Sequence, residues 1–263
     1  MPELPEVETV VRSISAHVIG RTILHAEFFS PLVTRSDFKK TAQALCGAII
    51  RGVRRRGKQI FFDLDNGILY VHLGMTGKLL WNTTVGKHAR AIISLDSGTL
   101  IYDDIRQFGR MEFFDNLPQS FDRAGPDALN IGFEEFYNRL KRRKGQIKPL
   151  LLNQSFLSGV GNIYADELLF KARIHPRTST QRMSKKRAAL LHSSLISVLQ
   201  LAILHRGSSV SDYVDSAGER GSFQNLHNVY GRAGQPCPRC GAAIRRIVIG
   251  QRGTHYCPRC QRV

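Results

Sequence analysis

The sequence predicts an α+β protein in three parts: a β-rich N-terminal domain, a helical domain and a C-terminal β-hairpin that holds a metal ion. Three observations predict this fold class. Strand-like runs fill the chain up to about residue 115, helical patterns begin near residue 133, and two Cys-x-x-Cys pairs stand close to the C-terminus. The 263 residues suffice for one large domain or two of ordinary size.

The N-terminal part begins with a helix and continues as strands. Residues 6–17 carry Val7, Val10, Val11 and Ile14 at helical spacing. Seven strand-like runs follow: TILHAEFF, AIIRGVRRRG, QIFFDLD, GILYVHLG, ARAIISLD, TLIYDD and MEFFD. Short turns such as LDNG and LDSG favour antiparallel pairing, in a sandwich or a barrel.

Helical patterns dominate between residues 133 and 207. We predict helices over 133–141, from KPLLLNQ, from Ile163 onward, and from the N-cap Ser184 to Gly207. The GVGN turn before Ile163 could aim backbone N–H groups at a phosphate, but a plain helix–helix turn explains it better on the residues alone. The Gly- and Ser-rich residues 207–236 indicate a mobile loop over a site or a linker.

The last 27 residues contain four of the five cysteines. Cys237 and Cys240 form one Cys-x-x-Cys pair, Cys257 and Cys260 form the second, and 16 residues separate the pairs. The alternating stretch IRRIVIGQRGTHY predicts a hairpin that returns the second pair beside the first, with Gln251 and Arg252 near its tip. Four sulfurs then surround one tetrahedral Zn²⁺ and leave no open position, so we expect a structural and not a catalytic zinc.

The absence of membrane-spanning and signal-peptide patterns predicts an intracellular, soluble protein. No run approaches 18 apolar residues, so we expect no membrane span, and the N-terminus lacks the pattern of a signal peptide. Disulfides are then a weak alternative for the tail cysteines. Cys46, among small and apolar neighbours in LCGAII, predicts a buried structural thiol.

The net charge of the chain indicates the class of molecule that it binds. Lys and Arg number 38 against 21 Asp and Glu, a formal net charge of +17. Such an excess favours a polyanion, because each neutralised phosphate releases counterions. A solvated basic surface or an anionic lipid is the alternative, but no amphipathic anchoring segment stands out. We therefore expect nucleic acid, and a basic cleft between two domains would suit a duplex.

Five motifs occur in order: MPELPEVET, HLGMTGKL at 72–79, IRQFG at 105–109, GVGNIYADELLF at 159–170 and the zinc ribbon. Together they resemble the bacterial formamidopyrimidine-DNA glycosylase family over essentially the whole chain. The resemblance implies an N-terminal β-sandwich with flanking helices over 1–130, a helix–two-turn–helix domain with a lesion-capping loop over 131–230, and a four-cysteine zinc finger over 231–263. Within the second domain, residues 213–230 match the loop that covers an everted oxidised purine in this family.

The same resemblance implies a bifunctional glycosylase and abasic-site lyase of base-excision repair. It would act as a monomer in the bacterial cytoplasm, at the nucleoid, on double-stranded DNA with oxidised purines (8-oxoguanine, formamidopyrimidines) or abasic sites. Once Met1 is removed, Pro2 is the nucleophile, and its terminal amine has a reference pKa of about 7.7–8.0. Glu3 is the acid/base, Lys58 donates a proton in β-elimination, and Arg252 supports δ-elimination.

Other roles carry over from the family. Glu6 assists near the amine or caps the helix, whereas Glu8 only stabilises the helix or the surface. An extruded base leaves a gap in the base stack. By resemblance, Met75, Arg106 and Phe108 fill this gap. Without the resemblance, Met75 and Phe108 would be interpreted as core residues. Further phosphate contacts are His88, Arg143 and Asn162, with Tyr230, Lys148 and the Gly161 backbone as weaker candidates.

The chain departs from the family pattern at two places, and two alternative functions remain. Gly57 stands where members usually have a slightly larger residue, and Asp-Ile-Arg-Gln-Phe-Gly replaces Asp-Pro-Arg-Arg-Phe-Gly, which predicts a less basic and less rigid loop. The nearer alternative is the endonuclease VIII type, specific for oxidised pyrimidines, whose start usually reads Pro-Glu-Gly-Pro-Glu. The other is a non-catalytic zinc-ribbon DNA-binding protein, which would have no use for Pro2, Glu3 or Lys58.

Overall fold

The computed structural model describes residues 1–34 and 37–262. Contacts divide the chain into two compact units. The first contains Met1–Asp122 and His205–Gln224, and the second contains Arg123–Leu204 and the chain from Asn225 onward. The predicted capping loop thus belongs in part to the first unit, and the zinc hairpin to the second. The division into three domains stays a prediction.

The first unit is built from two helices and eight strands in chain order. The first helix is longer than the predicted 6–17, because Leu4 and Pro5 fill its first turn. The elements are α1 Leu4–Val18, β1 Ile23–Phe28, α2 Phe38–Leu45, β2 Ile50–Arg56, β3 Gln59–Leu64, β4 Ile68–His72, β5 Lys78–Trp81, β6 Ala89–Leu95, β7 Gly98–Asp103 and β8 Arg110–Phe114.

The strands form two four-stranded antiparallel sheets, in the orders β1-β6-β7-β5 and β2-β3-β4-β8. Buried and half-buried residues alternate along all of β6, as expected of a strand with one face on a core. Apolar residues of both sheets and of α1 share one core, which includes Val10, Ile14, Phe62 and Ile93. The predicted N-terminal sandwich with a flanking helix is confirmed.

Two elements of this unit were not predicted, and one prediction is wrong. Helix α2 buries only Thr41 and Leu45, and β5 is four residues long, so neither has a clear periodic pattern. Cys46, predicted to be buried, is exposed. It follows the last residue of α2, and its thiol contacts the carbonyl of Leu24 at the surface.

The second unit contains the predicted helices and the C-terminal hairpin. The boundaries are α3 Phe133–Lys141, α4 Ile147–Leu152, α5 Asn162–Lys171, α6 Lys185–Leu204, β9 Arg245–Ile249 and β10 Arg252–Tyr256. The predicted N-cap of the last helix is confirmed, since the Ser184 hydroxyl accepts the backbone N–H of Arg187 at 3.2 Å.

Helix α6 is the one described helix that is long and apolar enough, by length and composition alone, to cross a membrane. Its Ala188, Leu191, Leu195, Leu199 and Ala202 are buried, and it packs against α3 and α5. This is the position of a core helix, which passes the same test.

Candidate active site and DNA-binding residues

The predicted nucleophile and acid/base lie at the start of α1. Pro2 and Glu3 are buried, whereas Met1 is 49% exposed. Glu3 is the N-cap of the helix, and its backbone N–H donates to Glu6 Oε2 at 2.8 Å. Glu6 therefore has the capping role that was one of its two predicted alternatives, and it fixes the backbone next to Pro2.

Glu6 also joins α1 to the segment 205–224. Its second carboxylate oxygen, Oε1, accepts the backbone N–H of Ser208 at 2.7 Å in a buried position. Gly207 has φ +78°, and a Cβ there would lie 2.6 Å from Glu6 Oε1. The Tyr213 hydroxyl donates to the Glu6 carbonyl at 3.3 Å. One buried carboxylate thus binds both the nucleophile segment and the segment 205–224.

Ion pairs fold the rest of that segment. Arg206 pairs with both Asp215 and Glu219. The buried Asp215 also accepts the backbone N–H groups of Ala217 and Glu219, each at 3.0 Å. Ion pairs and hydrogen bonds within residues 206–219 therefore fix this segment, which overlaps the loop predicted to cover an everted base.

Lys58 lies in the two-residue turn between β2 and β3, where Arg56 pairs with Gln59. Gly57 precedes it with φ +60°, a conformation that explains glycine at this departure from the family pattern. Arg55, which sequence reasoning missed, braces the turn. It donates to the Gly57 carbonyl at 2.9 Å and to Glu8 on α1 at 2.7 Å. Glu8, predicted only to stabilise the helix or surface, thus connects α1 to the Lys58 turn.

His72 is a second residue that sequence reasoning missed, although it begins the quoted HLGM motif. It pairs with Gln59 across β3 and β4, beside the Lys58 turn. Burial, with the nearby charges of Lys58 and Arg110, lowers the pKa of His72 below its ordinary value. The imidazole is therefore neutral at pH 7, and its Nδ1 accepts the backbone N–H of Gly74 at 3.1 Å.

The three predicted gap-filling residues are exposed on two turns of the same unit. Met75 is 39% and Phe108 54% exposed, so the alternative that these apolar residues belong to the core is wrong. The Arg106 guanidinium stacks on the Phe108 ring at 4.6 Å. Gln107 between them has φ +54°, and its side chain accepts the Ser30 hydroxyl at 2.5 Å. Gln107 thus fixes the loop, whereas the sequence predicted a less rigid one.

The predicted phosphate contacts lie in both units. His88, in the first unit, is half-buried. Arg143, in the second, is exposed two residues beyond the end of α3. Asn162 is the first residue of α5, with Gly161 as its N-cap, and its amide donates to the Gly253 carbonyl at 3.0 Å. The structure contains no DNA, and these contacts stay predictions.

Lys148, a weaker phosphate candidate, is wrong for that role. Its ammonium group is completely buried, 2.6 Å from Asp166, and it donates to the Gly253 carbonyl at 3.2 Å.

Arg252, the first residue of β10, is exposed next to the hairpin turn. Gln251 in that turn has φ +62°, so the predicted position of the pair at the tip is confirmed.

The four tail cysteines form one cluster, with all Sγ atoms within 4.8 Å of one another. Cys237 and Cys260 Sγ are 3.9 Å apart, and Cys240 and Cys257 Sγ are 3.4 Å apart. Tetrahedral Zn–S bonds of about 2.3 Å require sulfurs about 3.8 Å apart, so the donor set fits one Zn²⁺. A backbone N–H from Ala242 lowers the pKa of the Cys240 thiol to about 7, whereas burial raises the pKa of Cys257 and of Cys260. A bound Zn²⁺ would favour the thiolate form of all four.

Family models match three segments of the chain. The formamidopyrimidine-DNA glycosylase N-terminal domain matches residues 1–111, the H2TH domain of the same enzyme matches 124–214, and the zinc finger found in FPG and IleRS matches 234–263. The chain is 49% identical to the formamidopyrimidine-DNA glycosylase of Solibacter usitatus and 42% identical to that of Streptococcus thermophilus. Each alignment covers 100% of both chains.

Solved structures of similar proteins contain damaged DNA. The chain matches a Lactococcus lactis FPG mutant in complex with Fapy-dG DNA at a TM-score of 0.90 and 37% identity, covering 100% of both chains. It matches a Lactococcus lactis Fpg complex with abasic-site DNA at a TM-score of 0.90 and 36% identity, covering 99% of this chain and 100% of the other. The chain belongs to the formamidopyrimidine-DNA glycosylase family.

Proposed function

We propose that this protein is a bifunctional DNA glycosylase and abasic-site lyase that removes oxidised purines, 8-oxoguanine and formamidopyrimidines, during base-excision repair. One observation carries the assignment of its active site. Pro2 and Glu3 are buried at the N-terminus of α1, where the carboxylate of Glu6 fixes their backbone. The capping interaction accounts for Glu6, and it leaves Pro2 and Glu3 side by side at a fixed helix end, as a nucleophile and its acid/base require.

Removal of Met1 converts the Pro2 nitrogen from an amide to a secondary amine. That nitrogen attacks C1′ of the damaged nucleotide, the bond from C1′ to the base breaks, and the base leaves with the proton that the amine gives up. The C1′–O4′ bond of the sugar then breaks, and O4′ takes a proton from Glu3. The product is an iminium ion, which cannot lose its charge as the imine of a primary amine could. Glu3, adjacent to the amine, moves protons to and from the opened sugar and the leaving base.

The iminium ion acidifies the C2′ protons and so drives two eliminations. Loss of a C2′ proton expels the 3′ phosphate, and a second elimination expels the 5′ phosphate. Lys58, in its braced turn, donates a proton in the first elimination and contacts phosphate. Arg252, exposed at the tip of the zinc hairpin, contacts phosphates around the lesion and supports the second.

Met75, Arg106 and Phe108 take the place of the extruded nucleotide. Arg106 can donate two hydrogen bonds to the acceptors of the orphaned cytosine, and the apolar pair replaces lost stacking area. His88, Arg143 and Asn162 bind phosphates of the duplex. The formal charge of +17 supplies the long-range attraction.

We assign this chemistry to a sandwich domain over 1–130, a helix–two-turn–helix domain over 131–230 and a zinc finger over 231–263, acting as a monomer. Zinc, when bound to the four cysteines, folds the hairpin that presents Arg252. The relatives named above are bacterial proteins, and we place this protein in the bacterial cytoplasm, at the nucleoid.

Borohydride trapping on an 8-oxoguanine:C duplex tests the mechanism. The mature wild-type protein should form a covalent DNA adduct, Pro2→Gly, which keeps only a primary amine, should form far less, and Glu3→Gln should be strongly impaired on the intact lesion. The matched control is Glu135→Gln, which removes a carboxylate that pairs with Arg139 on the surface of α3. Absence of any adduct from wild type with Met1 removed would refute the proposal.

Lesion preference has a separate test. Excision from 8-oxoguanine:C should exceed excision from thymine glycol:A under the same conditions. Much faster processing of thymine glycol would instead assign the protein to oxidised pyrimidines, even if trapping at Pro2 succeeded.

A further inference from the structure

Asp104 is a completely buried carboxylate immediately after β7. Its Oδ1 accepts the Thr76 hydroxyl at 2.5 Å and the backbone N–H of Arg106 at 3.2 Å. Its Oδ2 accepts the backbone N–H of Gly109 at 2.9 Å. The side chain has no assigned role in the reaction, and sequence reasoning did not single it out.

The three donors adjoin the residues proposed to fill the gap in DNA. Thr76 follows Met75, Arg106 is itself one of the three, and Gly109 follows Phe108. The Arg106 N–H also donates to the Thr76 hydroxyl at 3.1 Å. The two turns are therefore joined at a single buried carboxylate.

The backbone of Asp104 extends this connection to a predicted phosphate contact. Its N–H donates to the His88 carbonyl at 3.0 Å, and its carbonyl accepts Arg90 Nε at 2.9 Å. One residue is thus bonded to three first-unit segments to which we assign DNA contacts: the turn with Met75, the turn with Arg106 and Phe108, and the strand start at His88.

The turns also touch each other directly. Gly74 has φ +59°, and a Cβ there would lie 2.6 Å from the Gly109 nitrogen and from the Phe108 carbonyl carbon. A Cβ on Gly109 would lie 1.6 Å from the Tyr102 hydroxyl oxygen. Burial and the Asp104 carboxylate raise the pKa of that hydroxyl, which stays protonated and donates to the His72 carbonyl at 3.2 Å.

A buried carboxylate is unfavourable unless donors surround it, and hydrogen bonds to a charged acceptor are stronger than neutral ones. The arrangement therefore gives the two turns one relative position. Insertion between base pairs rewards such rigidity, because unstacking the bases already costs free energy and ordering mobile turns would cost more.

We propose that Asp104 is the positioning residue that holds Met75, Arg106 and Phe108 in register for insertion into the gap left by the extruded nucleotide. The inference rests on the proposed glycosylase function. Asp104 does not touch DNA and acts through the three residues that do.

Asp104→Asn tests the proposal, because it replaces one acceptor oxygen by a donor that faces an N–H group. Activity on an 8-oxoguanine:C duplex, as kcat/KM, should fall about 100-fold, the effect of an ångström-scale misplacement. The preference for cytosine over adenine opposite the lesion should relax. Borohydride trapping on an abasic site in single-stranded DNA should stay at the wild-type level, because no opposite base has to be replaced there.

Two further variants keep the test decisive. Thr76→Val preserves shape and the carboxylate but removes two of the hydrogen bonds, and should give the same pattern with a loss of about tenfold. It decides the question if Asp104→Asn does not fold. Asp65→Asn is the matched control, since the exposed Asp65 accepts the Ile49 N–H at 2.9 Å away from these turns, and it should behave as wild type.

Unchanged duplex activity and base preference in both variants would overturn the proposal. So would equal losses on duplex and single-stranded substrates, which indicate a general structural role. If the wild-type protein itself formed no adduct, the proposed function would be overturned. The wild-type sample alone shows this outcome, so it cannot be confused with a failure of the Asp104 proposal.

Discussion

The Lys148 ammonium nitrogen lies 2.6 Å from Asp166 Oδ1, and both side chains are completely buried. Asp166 Oδ2 accepts the backbone N–H of His255 at 2.8 Å, and Lys148 donates to the Gly253 carbonyl. The pair thus fastens β10, which begins at Arg252, to α4 and α5. Lys148, a weaker candidate for a phosphate contact, therefore serves to place Arg252 and not to bind phosphate.

Lys148→Met should lower the free energy of unfolding by about 3–5 kcal/mol, because it leaves the Asp166 carboxylate buried and unpaired. The double variant Lys148→Met/Asp166→Leu should recover most of that loss, since apolar replacement of a buried pair is often neutral. Urea unfolding followed by circular dichroism measures both. In the double variant we expect a larger share of β-elimination product, because the attachment of the hairpin that presents Arg252 is weakened.

Lys185→Met is the matched control for the buried pair. Lys185 and Glu134 are 2.9 Å apart, but their side chains are 60% and 66% exposed. Exposed pairs contribute about 0–1 kcal/mol, so this variant should unfold nearly as wild type does. Equal losses in Lys148→Met and Lys185→Met would contradict the role given to the buried charge.

Gly207→Ala should disturb the active site through Glu6. The new Cβ would meet Glu6 Oε1 at 2.6 Å in a backbone with φ +78°, so strain and a lost buried hydrogen bond should cost about 2–4 kcal/mol. The rate of borohydride trapping should fall, because Glu6 also holds the Glu3 backbone.

Gly20→Ala separates backbone strain from that contact. Gly20 has φ +81° with nothing within 4 Å of its Cβ position, so only strain of about 1–2 kcal/mol applies. Thermal unfolding and trapping of both variants give the comparison. If Gly207→Ala trapped DNA as fast as Gly20→Ala, the link from Glu6 to catalysis would be wrong.

Local patterns predicted most of the elements in this chain. The boundaries of α3 and the tip of the zinc hairpin follow from helical periodicity, turn residues and cysteine spacing, all of which act within about 20 residues. The four cysteines of the confirmed zinc cluster all lie within the last 27 residues. The family resemblance supplied the roles of Pro2, Glu3 and Lys58, which composition and spacing did not.

Long-range contacts account for what sequence reasoning missed. Asp104 gains its place from donors 28 residues away at Thr76, and Arg55 from a carboxylate 47 residues away at Glu8. Resemblance to the family made Lys148 a weaker candidate for a phosphate contact. Its burial depends on Asp166 and on a hairpin more than 100 residues further along the chain.

Glu8→Gln should show a pH-dependent loss of stability. Burial acts to raise the pKa of Glu8, but hydrogen bonds from Arg55 and Arg12 outweigh it and hold the pKa below its ordinary value of 4.5. A carboxyl with a lowered pKa in the folded state stabilises the fold above its unfolded pKa, and this stabilisation is lost as the pH falls through the folded value. We expect a difference of about 1 kcal/mol between wild type and variant at pH 7 that shrinks as the pH falls below 4.5 and is lost below the folded pKa.

Chemical unfolding at several pH values measures this difference. Glu135→Gln is the control, because its partner Arg139 lies on the same exposed helix at 2.9 Å and such pairs contribute only about 0.3–0.5 kcal/mol. A loss in Glu8→Gln that is independent of pH would show that packing, and not the charge, connects α1 to the Lys58 turn.

Removal of zinc should unfold the C-terminal hairpin and abolish binding to duplex DNA. The hairpin core consists mainly of the cysteines themselves with Phe170, Val229 and Ile244, too little apolar surface to fold alone. The N-terminal sheets should keep their circular dichroism, because none of the four cysteines belongs to their core. Zinc content should be one ion per chain by atomic absorption.

Two single substitutions sharpen the zinc test without a chelator. Cys237→Ser removes a buried ligand and should lose both zinc and DNA binding, whereas Cys46→Ser changes an exposed thiol outside the cluster and should lose neither. Because Arg252 lies on the same hairpin, Cys237→Ser should also suppress δ-elimination on DNA with a preformed abasic site. Retention of full δ-elimination without zinc would show that the hairpin does not present the arginine.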